Sequence, residues 1–97
     1  MIFSVKDEQL ILRLSYMIDE LLIALTQLGE DTNQAYQSVH KVKKILSSKD
    51  PRGMKNVKKH LMMDFRMIED RQLDSDALNN VLDRIYSHVS SNEIFHA

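Results

Sequence analysis

Between residues 5 and 28, apolar side chains recur at alternating steps of four and three: Leu10, Leu14, Met17, Leu21, Ala24 and Leu28, with Ile11, Ile18, Leu22 and Leu25 beside them. That period puts them on one broad face of an α-helix, wide enough to touch two neighbouring helices. A strand would instead alternate every second residue, and no useful length of this chain does so. The pattern predicts a helix over about 5–28. Ser4 opens it, with Asp7 in the capping-box position, and Gly29 closes it where a helix end favours a left-handed residue.

The rest of the chain repeats this theme. Asp31 with Gln34 predicts the start of a second helix over about 32–48, with Ala35, Val39, Val42 and Leu46 as its seam and Tyr36 and Ile45 at the edges. Asp50 followed by Pro51 signals a third helix, over about 51–71, whose inner face is Met54, Val57, Leu61, Phe65 and Ile68. Leu73 and Leu78 bracket Asp74 as a hydrophobic staple around the cap of a fourth helix, over about 75–90, with Val81, Leu82, Ile85 and Val89 inward. The ending, Asn92 to Ala97, is too short to assign. Two glycines and one proline in 97 residues leave few turns, and each linker is a few residues long. The expectation is one all-α domain over 1–97, an antiparallel up-down-up-down four-helix bundle with both termini near one end.

Cysteine is absent, which excludes disulfide staples and thiolate metal sites. No uninterrupted apolar run approaches the roughly 20 residues of a membrane span. The first eight residues turn acidic where a secretion signal would be apolar. A cytoplasmic protein with no membrane association is the expectation.

The net charge of −1 hides an asymmetry. Residues 40–66 hold nine basic and two acidic side chains, whereas residues 1–39 and 67–97 each hold two basic and six acidic ones. Lys41, Lys43, Lys44, Lys55, Lys58, Lys59 and Arg66 form a candidate basic patch across the second and third helices, with Lys49 and Arg52 in the turn between them. Such a patch attracts an acidic protein or a phosphate backbone, unless the chain's own Asp19, Glu20, Asp76 and Asp83 balance it. Nucleic acid is the weaker expectation, because no aromatic residue is interleaved with the lysines and no helix-turn-helix signature is present.

A second candidate surface lies on the first helix. Val5, Leu12, Tyr16 and Ile23, spaced seven, four and seven, fall opposite its main apolar face. A row of large apolar side chains there predicts a seam for a partner or a second copy. His60, Met63 and Met67 make a third candidate, an adaptable contact surface on the outer side of the third helix.

Motifs that could carry chemistry are sparse. His60 with Asp64, and Glu93 with His96, have metal-ligand spacing, but a metal site in a bundle needs ligands converging from several helices, so no metal or cofactor is expected. His40-Lys41-Val42-Lys43 resembles the His-x-apolar-Lys start of histidine phosphotransfer domains, which are also four-helix bundles; the resemblance implies a phosphorelay module. That family follows the lysine with glycine, and Lys44 stands there. Arg13, Lys41 and Asp50 loosely resemble, in order and separation, ligand-binding residues of the small helical chorismate mutases. That class also uses further arginines and a late polar residue, and Glu30, Gly53 and Ser90 stand at the nearest positions. The sequence thus points to a non-catalytic regulatory or adaptor protein that docks to another protein, in the manner of an inhibitor, antitoxin, immunity protein or chaperone. A nucleic-acid-associated regulator is the alternative.

Overall fold

A computed structural model describes residues 3–96. Among these residues five α-helices follow one another: α1 (Val5–Gln27), α2 (Gln37–Ser48), α3 (Pro51–Met54), α4 (Val57–Asp70) and α5 (Asp76–Ser91); a 3-10 turn, Glu93–Phe95, comes after them. The four long helices pack as a closed ring, α1 on α2, α2 on α4, α4 on α5 and α5 on α1. Cross-helix partners show that neighbours run antiparallel. Asp19 and Glu8 of α1 meet Lys43 and Lys49 of the second helix's length and end, and Glu20 and the Leu10 carbonyl meet Arg84 and His88 of α5. The four-helix architecture expected from the spacing is therefore present. The radius of gyration, 12.9 Å, is close to the roughly 12.5 Å of a compact chain of this length.

Helix ends account for the boundaries. At the start of α1, the Ser4 hydroxyl accepts from the Asp7 N–H (3.0 Å) and the Asp7 carboxylate accepts from the Ser4 N–H (3.3 Å), the reciprocal bonding of a capping box. At its end Gly29 takes φ +83°, and the Glu30 and Gly29 N–H groups return to the Leu25 and Thr26 carbonyls at 3.1 and 3.0 Å. That closing motif needs a left-handed residue, which glycine adopts without a Cβ clash.

The second helix starts later than its sequence predicts, at Gln37 instead of 32. Asp31 does cap a turn, accepting from the Asn33 and Gln34 N–H groups at 3.1 and 3.2 Å. Tyr36 then enters the left-handed region at φ 61° and interrupts the run. A non-glycine residue there costs roughly 1–2 kcal/mol. The offset comes from burial: the Tyr36 ring is 1% exposed, and its hydroxyl donates to Glu30. Tyr36 is thus a core residue, not the seam-edge residue its helical phase implies. Because Tyr36 provides no side-chain cap for α2, a carboxylate from another helix does so. Buried Asp64 of α4 accepts from the Val39 N–H at 2.8 Å, placing negative charge at the positive end of α2.

The expected third helix is split. Asp50 caps α3 through the Arg52 N–H (3.1 Å) with Pro51 in the first position, yet α3 is a single turn. Gly53 lies where an added Cβ would come within 3.0 Å of the Ile45 side chain, so the turn is pressed onto the end of α2. The break at Lys55–Asn56 then lets α4 run back along α2. Ser75, rather than Asp74, caps α5, its hydroxyl accepting from the Leu78 N–H at 3.1 Å; Asp74 instead accepts from the Asn79 amide at 2.7 Å. Of the unassigned tail, Asn92 to His96 is described, Ala97 lies outside the described residues, and Phe95 joins the core. Phe95 is fully buried and its ring centre lies 5.4 Å from that of His88, whose Nε2 donates to the Leu10 carbonyl at 2.9 Å. This places the C-terminal turn over the end of the bundle where α1 begins.

Candidate docking surfaces

The ridge expected on α1 is solvent-facing along its whole length. Val5, Leu12, Tyr16 and Ile23 are 69, 53, 63 and 59% exposed. The inner face of the same helix buries Ile11, Leu14, Met17, Ile18, Leu21, Ala24 and Leu25. Among the described residues, six large apolar side chains are exposed, the others being Met63 and Tyr86; the α1 row is therefore a concentration, not scattered surface apolarity. Carboxylates flank it, and each has a cation from the helix next door: Glu8 with Lys49 at 2.6 Å, Asp19 with Lys43 at 3.0 Å, and Glu20 with Arg84. The Arg84 guanidinium holds the Glu20 carboxyl below its ordinary range.

The basic block is divided by the fold. Lys43 turns to α1 and, like Lys49, is spent on an ion pair with it. Lys41 lies across from α4, near enough to His60 that it and Lys59 add to burial in pushing the imidazole below its usual range. Lys44 is exposed on α2. Lys55, Lys58, Lys59 and Arg66 sit together, along an open groove of about 570 Å³ between α4 and the C-terminal turn. Met62 and Met63 lie among them, and His96 forms the far wall. Met63 is 59% exposed, while Met62 packs partly against the core. Lys58 stands 5.5 Å over the Tyr86 ring of α5, an arrangement worth about 0.5–1 kcal/mol when exposed. Among the described residues, none of the four groove cations makes an ion pair. The buried Nε2 of His96 has no hydrogen-bond partner there either.

This groove joins residues that sequence spacing puts in different groups. Met63, expected with His60 and Met67, belongs with the lysines. His60 and Met67 are each half-buried, Met67 packing partly against the core, and Met63 is the most exposed of the three. His96 was legible only as a terminal pair with Glu93. The signal that could have placed it was the apolar pair Ile94-Phe95 just before it, enough to pull the tail onto the bundle.

The residues weighed for chemistry are engaged elsewhere or apart. His40 Nε2 is engaged by the Thr32 carbonyl, which can only accept. Asp64 caps α2 instead of facing a metal with His60. Arg13 lines a groove with α5, Lys41 lies toward α4, and Asp50 caps α3, so these three do not converge. Among the described residues, no three His, Asp or Glu side chains gather as a metal site requires. Among the described residues, no helix is long and apolar enough to cross a membrane.

At the far end of the bundle Glu30 accepts from Arg71 at 2.8 Å and from the Tyr36 hydroxyl. Arg71 first, and Tyr36 second, hold the Glu30 carboxyl low; burial, then Glu30, pushes the Tyr36 phenol above its usual range. This network ties the loop after α1 to the end of α4.

No protein-family model matches this chain, and neither a curated protein nor a solved structure matches it.

Proposed function

We propose that this is a non-catalytic docking protein whose α4 groove receives an acidic amphipathic segment of another protein. One observation carries the reading. Lys55, Lys58, Lys59 and Arg66 line a groove with a methionine floor, none of them in an ion pair with a described residue. Cations concentrated without counter-charge repel one another and favour an anionic visitor. Methionine beside them favours a visitor that is also apolar, because its unbranched, polarisable side chain adapts to varied shapes. A helix bearing carboxylates on one edge and leucines on the other satisfies both. A nucleic-acid backbone would use the cations alone, and the methionines would contribute little.

Binding of three fluorescent probes at several salt concentrations tests this: an acidic amphipathic helix, polyglutamate of equal charge, and single- and double-stranded DNA. The helix should bind most tightly and keep part of its affinity at high salt, and Met63→Ser should weaken it. Equal binding of polyglutamate would reduce the groove to a charge patch. Tighter binding of DNA with a steep salt dependence would favour a nucleic-acid regulator instead.

A further inference from the structure

The exposed ridge on α1 has an internal symmetry. Val5 and Ile23 lie nine residues either side of Leu14, and Leu12 and Tyr16 lie two residues either side of it. Reversing the helix about Leu14 therefore carries each exposed apolar residue onto another. A parallel pair of identical helices is level for any sequence, so it demands no such symmetry. An antiparallel pair is level only if the spacing reads the same in both directions, as 7-4-7 does. We infer that the α1 ridge is an antiparallel self-association seam, occupied by α1 of a second copy of this chain, with Val5 facing Ile23 and Leu12 facing Tyr16 across a two-fold axis at Leu14.

Charge and area bear on this assignment. In the two-fold antiparallel pair each flank of the ridge meets the same flank of the second copy. On one flank Lys6 and Gln9 come within two residues of level with Glu20 of the second copy, twice by symmetry; Glu20 also holds Arg84, and Arg13 on that flank comes beside its own mate, a repulsion that the Lys6 contacts must outweigh. On the other, Glu8 comes level with Asp19 of the second copy, and each of these carboxylates already holds a lysine, Lys49 and Lys43 respectively. The parallel alternative exchanges these pairs for Lys6 beside Glu8 and Asp19 beside Glu20 of the second copy, so the flanking charges are about balanced between the two orientations; it sets the two helix dipoles side by side in the same sense, whereas the antiparallel pair opposes them. The ridge spans about 27 Å of helix. Four side chains along one helix cover less than the roughly 800 Å² per partner of a standard interface, so the dimer is weak and reversible. In the ring of helices α1 contacts α2 and α5 and lies diagonal to α4. The seam therefore leaves both α4 grooves free, and the dimer is bivalent for whatever they bind.

The inference does not depend on the occupant of the α4 groove, and its test uses the free full chain. Sedimentation velocity from 1 to 500 μM should show reversible dimerisation. Leu12→Glu with Ile23→Glu should raise the dissociation constant at least 30-fold with unchanged helicity, since both positions are exposed. The natural absence of cysteine allows a register test with V5C and I23C. Under mild oxidation a mixture of the two variants should cross-link as the heterodimer, while V5C alone should not, its two copies lying about 27 Å apart in the antiparallel pair. A chain that stays monomeric at 500 μM overturns the inference. Efficient V5C–V5C cross-linking overturns it equally, by showing a parallel pair.

Discussion

The α1 ridge and the α4 groove lie on diagonally opposed helices and differ in almost every physical respect. The ridge is a straight row of leucine, tyrosine and β-branched side chains whose flanking carboxylates Glu8, Asp19 and Glu20 are paired with cations of neighbouring helices. The groove has unpaired cations around methionine. A pre-formed apolar row with few rotamers suits one fixed partner surface, and its spacing matches its own reversal. A methionine floor under mobile lysines suits a partner specified by charge and amphipathicity more than by shape. The contrast also runs within the basic block. Lysines of similar sequence context are tied down at Lys43 and Lys49, where α1 supplies a carboxylate, and left free at Lys55 and Lys59, where nothing described does.

The largest effect that could break this contrast is on the wall of the groove. Phe95→Ala should cost about 3–5 kcal/mol of stability as a buried aromatic truncation, read as a lowered urea midpoint. A loss under 1 kcal/mol would mean that the C-terminal turn is not anchored and that His96 does not bound a groove. Next, the triple reversal K55E/K59E/R66E should weaken binding of the acidic helix about 100-fold, or about 2.7 kcal/mol, while moving stability by less than about 0.5 kcal/mol, as exposed unpaired charges do. A large fall in melting temperature would show that these cations balance the chain's own acids.

Asp19 and Glu20, two of the acids expected to do that balancing, are committed to Lys43 and Arg84. The converse substitution, K43Q/K49Q, should therefore cost up to about 1 kcal/mol per pair in a denaturation curve and leave groove binding unchanged. The smallest effect concerns pH. His60 has its pKa lowered below 6.5, by burial first and then by Lys41 and Lys59. The unfolded chain then binds more protons, and stability should begin to fall as pH drops below about 6.5. Glu20 and Glu30, held low by Arg84 and Arg71, have values below 4.5; their contribution is present above that value and is lost as pH falls through the folded-state pKa. The urea midpoint should thus decline in two stages, and His60→Gln should remove the first.

How much of this was legible in the sequence depends on the range of the interaction responsible. The apolar period set the helices, and local caps at Ser4, Gly29 and Asp50 formed as their spacing implied. The outward position of Val5, Leu12, Tyr16 and Ile23 followed from helical phase alone. Tyr36, Asp64 and Phe95 were misplaced or missed because each is fixed by a partner distant in sequence or by the packed core. Tyr36 trades a strained backbone for a buried ring, Asp64 caps a helix 25 residues earlier, and Phe95 folds back onto His88. The groove itself was only half legible. Its cations stood out as a block, but their division between α1 and α4, and the wall made by His96, arise from three-dimensional closure.

The most direct test of the docking proposal is a residue-resolved NMR titration of the labelled chain with the acidic amphipathic helix. Amide shifts should move at Lys55 to Arg66 and at Ile94 to His96, saturate together, and leave Val5 to Ile23 unmoved at a concentration where the chain is monomeric. Perturbations that follow the α1 ridge instead, or none at saturating peptide, would contradict the account.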